Sequence, residues 1–247
     1  MKEGSRSMKI LAFDGTAKAA SVAVADDNKI LAHHTVDNGL TQSELLLPMA
    51  EDMLRALKLS FGDVELYATS VGPGSFTGVR IGVSLIKGLA FGRNVPCVAV
   101  STIDALAENL RGLKGIIVPC MDARRGQVYS ATFRSDGEEL SKLTEDRAVA
   151  LATLAEELRE YEGEDIYIVG DGYDVAKTTL TKAGIRLCNT PELLILENAA
   201  SVALVAKRKF DRNEIVSDEQ LSPVYLRMPQ AERERLEREV AKKEEIK

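Results

Sequence analysis

The sequence VELYATSVGPGSFTGVRIGVSLIKGLAFG occupies residues 64–92 and decides the fold of this chain. Residues 64–71 form an apolar run that is typical of a buried strand, and the Gly-Pro-Gly turn at residues 72–74 ends it. Residues 75–92 then show the pattern of a helix. A strand, a glycine turn and a helix in this order make a βα unit, so the sequence predicts an α/β fold.

On the N-terminal side of this unit, three β-rich runs, KILAFD, SVAVA and KILAHHTV, are separated by turn residues and predict a meander of strands. Thr41 and Glu44 then form a capping box at the start of the apolar helix QSELLLPMAEDMLRALK. The first half of the chain is therefore predicted to hold a strand meander followed by alternating helices and strands.

The second half shows the same succession without repeating the sequence. CVAVS, GIIVPCMDA, QVYSATF and DIYIVG predict strands, and helices are predicted at TIDALAENL and at residues 151–161, 175–183 and 199–210. Two lobes follow from this pattern. The predicted domains are a start-site extension at 1–7, an N-terminal lobe at 8–105, a C-terminal lobe at 106–230 and a charged helical tail at 231–247.

The composition excludes several classes of protein. Of the 247 residues, 45% are hydrophobic and 28% charged, which is typical of a soluble globular protein. The net charge of −6 argues against a protein that holds nucleic acid through many phosphate contacts. The longest apolar stretch, residues 79–91, is too short to span a bilayer. Three cysteines without a CxxC pair favour neither disulfides nor a cysteine metal site, and they indicate a cytoplasmic protein.

Two turns are candidate phosphate sites. Asp14-Gly15-Thr16 follows the first predicted strand, where a carboxylate can hold hydrated Mg²⁺ while backbone donors approach a phosphate. An ordinary turn uses the same residues. Gly72, Gly74 and Ser75 form the second candidate, because their turn directs backbone N–H groups from a helix start, although no GK[ST] sequence follows. These glycines also suit tight packing of strand on helix, so both alternatives stay open.

A family resemblance rests on four runs that occur in order between Met8 and Arg227: KILAFDGTAKAASVAVA, TQSELLLPMAEDML, GPGSFTGVRIGVSLIKGLAFGRNVPCVAVSTIDALA and SPVYLR. Together they resemble the bacterial TsaB (YeaZ) family, and the GPGSFTG-x-R block is highly specific. The resemblance implies a two-lobed actin-like ATPase (RNase H-like) fold, with a mixed sheet and helices on both faces in each lobe. It also implies a non-catalytic partner of TsaD, which makes N6-threonylcarbamoyladenosine beside the tRNA anticodon.

The residues of this chain depart from the active relatives of that superfamily. TsaD is similar to metalloproteins with paired H-x-x-x-H histidines, whereas His33 and His34 are adjacent and point to opposite faces of a strand. No HExxH motif or serine-nucleophile elbow is present, so proteolysis is not expected. In the second lobe Asp122 stands where a second phosphate loop is expected, but Arg124 and Arg125 replace its small residues. A phosphate contact and a plain surface turn both remain open for these arginines.

Two helices carry more apolar residues than one core-facing stripe requires. In the second, one apolar stripe contains Val83 and another, on the opposite side, contains Leu85. We predict that the surplus forms a partner interface, since the resemblance implies a helix bundle with TsaD, or with a second copy of the chain. Complete burial within the chain is the alternative. The predicted interface residues are Leu45, Leu46, Met49, Met53, Val79, Arg80, Val83, Ile86 and Ala90.

Two functions are therefore predicted in order of preference. The first is a non-catalytic scaffold and activator of TsaD that requires no cofactor and no metal, reaches TsaE through the complex, forms a homodimer when alone, and meets tRNA only indirectly. ATP or ADP with Mg²⁺ would bind weakly or at the partner interface. The alternative is a Mg-ATP-dependent small-molecule kinase or ATPase that uses Asp14 and Asp122.

Overall fold

The computed structural model describes residues 7–227. The predicted charged tail at 231–247, and all but one residue of the predicted extension at 1–7, lie outside the described residues. Among residues 7–227, no helix is long and apolar enough to cross a membrane.

The strands form two sheets, one from each half of the chain. The first sheet has the order β3-β2-β1-β4-β5, in which β1, β2 and β3 are antiparallel neighbours and β4 and β5 run parallel to β1. The predicted meander and the βα unit therefore share one mixed sheet. Its strands are β1 (Lys9–Asp14), β2 (Ala20–Asp26), β3 (Lys29–Val36), β4 (Leu66–Ser70) and β5 (Cys97–Val100).

The second sheet is built around a long central strand, with the order β10-β7-β6-β8-β9 and with β11 parallel to β6. Its mixed character and antiparallel start repeat those of the first sheet. The strands are β6 (Gly115–Asp122), β7 (Gln127–Ser130), β8 (Phe133–Ser135), β9 (Leu140–Lys142), β10 (Arg147–Ala150) and β11 (Ile166–Val169).

The run QVYSATF differs from its prediction as a single strand. β7 and β8 are separate, yet Ser130 lies opposite Cys120 and Phe133 lies opposite Ile117, so one register continues across the interruption. Pro119 lies in the same stretch of β6 and has no amide hydrogen to donate to the ladder. The hydrophobic pattern predicted the path of the strand correctly but did not show its break.

Helices cover both faces of the sheets. α1 and α2 pack on one face of the first sheet, and α6 packs on the other face. α4 and α5 cover one face of the second sheet, while α3 lies in an apolar cluster with residues of β6 and β8. The helices are α1 (Gln42–Ala56), α2 (Phe76–Ala90), α3 (Thr102–Glu108), α4 (Leu151–Leu158), α5 (Tyr173–Lys182) and α6 (Ala199–Asp211), with 3₁₀ turns at Phe61–Asp63, Arg159–Tyr161 and Glu192–Leu194.

The path of α6 bears on the division of the chain. This helix follows the second sheet in sequence, but Val202, Ala203 and Ala206 are fully buried in the cluster that contains Ile10 and Leu66 of the first sheet. The backbone N–H of Ala199 also donates to Ser21 Oγ at 2.9 Å. The first lobe is thus completed by a late segment, and a division at residue 105 stays a prediction about the sequence.

Candidate functional site

A cleft of about 620 Å³ is lined by residues from both halves of the chain. The first half contributes the turn after β1 and the start of α2, and the second half contributes the ends of β6 and β11. Residues 224–227 line it as well. Its polar and aromatic lining residues include Thr16, Lys18, Ser75, Phe76, Asp122, Arg124, Tyr129, Asp171, Glu197, Tyr225 and Arg227.

Asp14, the first predicted ligand of Mg²⁺, is fully buried and does not line this cleft. Its Oδ1 accepts hydrogen bonds from the backbone N–H of Thr16 at 2.9 Å and from Thr16 Oγ1 at 2.6 Å. Its Oδ2 accepts from Ser70 Oγ at 2.6 Å. Burial raises the pKa of the Asp14 carboxyl, and these hydrogen bonds oppose that rise. The carboxyl group therefore joins β1 to β4 and shapes the turn.

The glycine turn before α2 brings backbone against backbone. Gly72 has φ +116°, and a Cβ there would lie 2.4 Å from the carbonyl oxygen of Val224. At Gly74, with φ +156°, a Cβ would lie 2.5 Å from the carbonyl oxygen of Thr16. The backbone N–H of Ser75 donates to that same Thr16 oxygen at 2.6 Å. The structure thus shows close packing at this turn, the alternative that the sequence left open.

Of the six predicted phosphate-site residues, the cleft brings together only Thr16, Gly74 and Ser75. Asp14, Gly15 and Gly72 are buried away from it. Phosphate binding by the three that line the cleft stays a prediction.

Two carboxyl groups that the sequence analysis missed lie at the cleft, on Asp171 and Glu197. Glu197 is 2% exposed; its Oε1 accepts from the backbone N–H of Asp171 at 3.3 Å, and its Oε2 has no hydrogen-bond partner among the described residues. Burial, followed by the charges of Asp171 and Asp14, raises the pKa of Glu197 to about 8. Asp171 lies in the turn Gly170-Asp171-Gly172 after β11, whereas no pattern in the sequence around Glu197 indicates that its side chain is buried.

This raised pKa predicts a specific dependence of stability on pH. The folded chain keeps a proton on Glu197 that the unfolded chain releases near the ordinary value of 4.5, so the group lowers the free energy of unfolding as pH rises toward 8. We expect Glu197→Gln to be more stable than the parent by about 3 kcal/mol at pH 9, an order-of-magnitude value, and nearly equal to it at pH 5. Urea denaturation at both pH values measures this.

The exposed Glu219→Gln serves as the control for that experiment, and we expect it to change stability little at either pH. A difference between Glu197→Gln and the parent that is the same at pH 5 and pH 9 would contradict the assigned protonation.

Asp122 and the two arginines after β6 form a tight turn. Arg124 and Arg125 have φ of 65° and 55°. Asp122 accepts from the backbone N–H of Arg124 at 2.8 Å and pairs with its guanidinium at 3.2 Å. Asp122 and Arg124 line the cleft, whereas Arg125 does not. The Arg124 side chain therefore neutralises a carboxylate of its own chain at the place where a second phosphate loop was expected.

The histidines lie on β3 and are both exposed. His33 Nε2 lies 2.8 Å from Thr35 Oγ1 and 3.1 Å from Ser21 Oγ. Over residues 7–227, no three or more His, Cys, Asp or Glu side chains are grouped as metal ligands.

Most residues of the predicted partner face pack on the chain's own sheet, and the partner interface itself stays a prediction. In α2, the residues with the spacing of Val79 and Val83 face the sheet, and the opposite stripe of Ile81, Leu85 and Leu89 is only half-buried. Periodicity revealed two apolar stripes but did not show which one the sheet covers. The buried members of the predicted interface are Leu46, Met49, Met53, Val79, Val83, Ile86 and Ala90.

Leu45 and Arg80 are the remaining predicted interface residues. Leu45 is half-buried at the edge of the core, and Arg80 is exposed. Arg80 nevertheless has contacts within the chain: its Nε donates to the Tyr225 hydroxyl at 2.9 Å, and its guanidinium lies 3.9 Å from the centroid of the Phe76 ring. The available apolar surface of α2 is therefore Ile81, Leu85 and Leu89, which we call the outer α2 face.

Sequence identity to known proteins shows the family of this chain. The TsaB protein of Escherichia coli K12, named a tRNA threonylcarbamoyladenosine biosynthesis protein, is 31% identical over 222 residues, which span 89% of this chain and 95% of that protein. The chain belongs to the TsaB family. The TsaB protein of Bacillus subtilis 168 is 33% identical over 164 residues, or 66% of this chain and 72% of that protein. The resemblance predicted from the sequence is confirmed.

Solved structures agree with a TsaB fold. YeaZ from Pseudomonas aeruginosa is 27% identical with a TM-score of 0.71, and a second crystal structure, of a protein described as similar to peptidase YeaZ, is 26% identical with a TM-score of 0.74. Each alignment covers 89% of this chain and all of the solved one. The predicted α/β fold, with mixed sheets and helices on both faces, is confirmed. A family model described as TsaD, tRNA N6-adenosine threonylcarbamoyltransferase, also matches residues 41–235 of this TsaB chain.

Proposed function

We propose that this chain takes part in the N6-threonylcarbamoylation of tRNA adenosine next to the anticodon, as a non-catalytic scaffold and activator of TsaD. The names of the TsaB relatives, all of which refer to threonylcarbamoyladenosine biosynthesis, support the pathway. The observation that supports the scaffold role is the outer α2 face.

The outer α2 face offers a contact surface of suitable chemistry. Ile81, Leu85 and Leu89 follow one side of a helix whose other side is fully covered by its own sheet, and they remain half-buried. Beyond the helix, Phe91 is 79% exposed. A row of apolar side chains backed by a rigid core suits helix-on-helix packing. TsaD is the partner we propose, with a second copy of this chain on the same surface when TsaD is absent.

The side chains that would have to carry a reaction support a non-catalytic role. The Asp14 carboxyl is buried and accepts three hydrogen bonds from its own chain, and Asp122 is engaged by Arg124. The N–H groups of Thr16 and Ser75 donate to protein acceptors. These groups serve the fold, so nucleotide binding by this subunit would be weak or shared with the partner.

Its other partners follow from charge and compartment. The net charge of −6 favours indirect contact with tRNA, through TsaD, over binding of tRNA by this chain alone. We propose that TsaE also joins through the complex. Cys97, Cys120 and Cys188 are all free thiols, in keeping with a protein of the cytoplasm.

Reconstitution tests this function. Purified TsaD and TsaE with threonylcarbamoyl-adenylate and tRNA should modify tRNA when this chain is added and should lose that activity when it is omitted. Activity that is unchanged by omission would overturn the scaffold role.

The cleft of about 620 Å³ keeps a second candidate in view, a Mg-ATP-dependent kinase or ATPase. We expect the isolated chain to turn over ATP no faster than a buffer blank, and Asp14→Asn to leave that rate unchanged. Robust hydrolysis that Asp14→Asn removes would favour the enzyme over the scaffold.

A further inference from the structure

The last four described residues, Val224 to Arg227, all line the cleft between the two halves of the chain. We call this segment the C-terminal strap. Its first residues contact the first half of the chain, and Arg227 contacts the second half.

The beginning of the strap is held by the first half. The backbone N–H of Val224 donates to the carbonyl oxygen of Val71 at 2.8 Å. The Val224 carbonyl oxygen lies so close to Gly72 that a side chain at residue 72 would collide with it. The Tyr225 ring stacks on Phe76 with their centroids 4.4 Å apart and their planes at 23°. Arg80 donates to the Tyr225 hydroxyl at 2.9 Å. Backbone, ring and hydroxyl contacts together fix this end.

The end of the strap is held by the second half, through one side chain. Arg227 Nη1 donates to the carbonyl oxygen of Ala123 at 3.1 Å, and Nη2 donates to Gln127 Oε1. The guanidinium also lies 5.8 Å from the centroid of the Tyr129 ring. Ala123 and Gln127 flank the tight turn between β6 and β7, so the planar fork of one arginine contacts both sides of that turn.

We propose that the strap is a clasp that holds the two lobes at a fixed separation, with Arg227 as its releasable end. Only Leu226 lies between the Tyr225 anchor and the Arg227 anchor, so the clasp has little slack. The Tyr225 anchor uses several independent contacts, whereas the Arg227 anchor is a single guanidinium. Loss of the Arg227 contacts detaches the strap from the second lobe and leaves it attached to the first.

The clasp also links the cleft to the outer α2 face. Phe76 and Arg80, which hold Tyr225, belong to the same helix as Leu85. A partner that shifts α2 therefore acts on the strap and on the lobe separation. This regulatory consequence rests on the proposed function, whereas the clasp itself is a property of the isolated chain.

Distances between spin labels on the two lobes measure the lobe separation that the clasp is proposed to fix. Exposed Glu51 on α1 and exposed Glu156 on α4 are replaced by cysteine for labelling, and Cys188 is replaced by serine. Cys97 and Cys120 need no replacement, since they are buried and burial raises their thiol pKa to about 11 and about 12. The full-length chain with these labels, without any partner, is the reference.

Arg227→Gln should shift the distance distribution to longer values and broaden it relative to the reference. Arg227→Lys, which keeps the charge but loses the fork, should do the same. The matched control is Arg212→Gln, at an exposed position just after α6, which should leave the distribution unchanged. Circular dichroism shows whether each variant is folded. If Arg227→Gln does not fold, the distances in Arg227→Lys test the proposal instead.

An unchanged distribution in the folded Arg227 variants would overturn the clasp, whatever the outcome with TsaD. Loss of tRNA modification in a variant that keeps the reference distances would speak against the proposed coupling and not against the function of the subunit. A longer and broader distribution in both Arg227 variants, with Arg212→Gln unaffected, supports the proposal.

Discussion

Leu85→Glu should reduce the affinity of this chain for TsaD about a hundredfold, the effect of losing a central interface residue. Leu85 lies between Ile81 and Leu89 on the outer α2 face. A partner bound to this face would cover residue 85 and remove the new carboxylate from water, which costs binding free energy. Because Leu85 is only half-buried in the free chain, the carboxylate can reach solvent there, and the melting temperature should change little. Co-purification and light scattering of mixtures with TsaD measure the loss.

Two comparison variants make this result specific. Val175→Glu changes a 42% exposed residue on α5 of the other lobe and should leave binding of TsaD intact. Val83→Asp, on the covered side of α2, should unfold the chain, because Val83 is 3% exposed and its new charge would be buried. Full binding by Leu85→Glu would remove the outer α2 face as the contact surface.

Gly78→Ala should destabilise the folded chain by about 3 kcal/mol or more, as overpacking against rigid backbone does. A Cβ at Gly78 would lie 1.9 Å from the carbonyl oxygen of Gly15, so α2 would have to move away from the turn after β1. Helix propensity alone favours alanine over glycine, which makes the expected sign opposite to that of an ordinary helical position. Urea denaturation gives the change in the free energy of unfolding.

Gly88→Ala, in the same helix, is the matched control. A Cβ at Gly88 has no atom within 4 Å, and the substitution should stabilise the chain by about 0.5–1 kcal/mol. Effects of the same sign at Gly78 and Gly88 would show that close approach to the Gly15 carbonyl is not what requires glycine at residue 78.

The elements of this fold were predictable wherever the signal is local. Residues 64–92 gave the βα unit, and α2 begins one residue after the predicted start, since Ser75 is its N-cap and accepts from the Gly78 N–H. The short strands β9 and β10 were missed, because three or four residues carry too little periodicity to be distinguished from a loop.

The site was less predictable, because its properties arise from tertiary packing. The Asp14 turn was noticed for its residue types, but only the fold shows that Thr16 and Ser70 occupy its carboxyl group. Glu197 depends on burial beside Asp171, whose position in the sequence is distant. The two stripes of α2 are equally apolar in sequence, so the choice between Val83 and Leu85 as the outward residue required the sheet itself.

The return of α6 to the first sheet sets an order on biosynthesis. Ile10 and Leu66 are covered by residues near position 203, so the N-terminal sheet has one bare face until more than four fifths of the chain has been translated. A nascent chain that has emerged only as far as β6 exposes that face to the ribosome exit region and to chaperones. The first sheet of this protein therefore reaches its native packing only late in synthesis, although all five of its strands are made first.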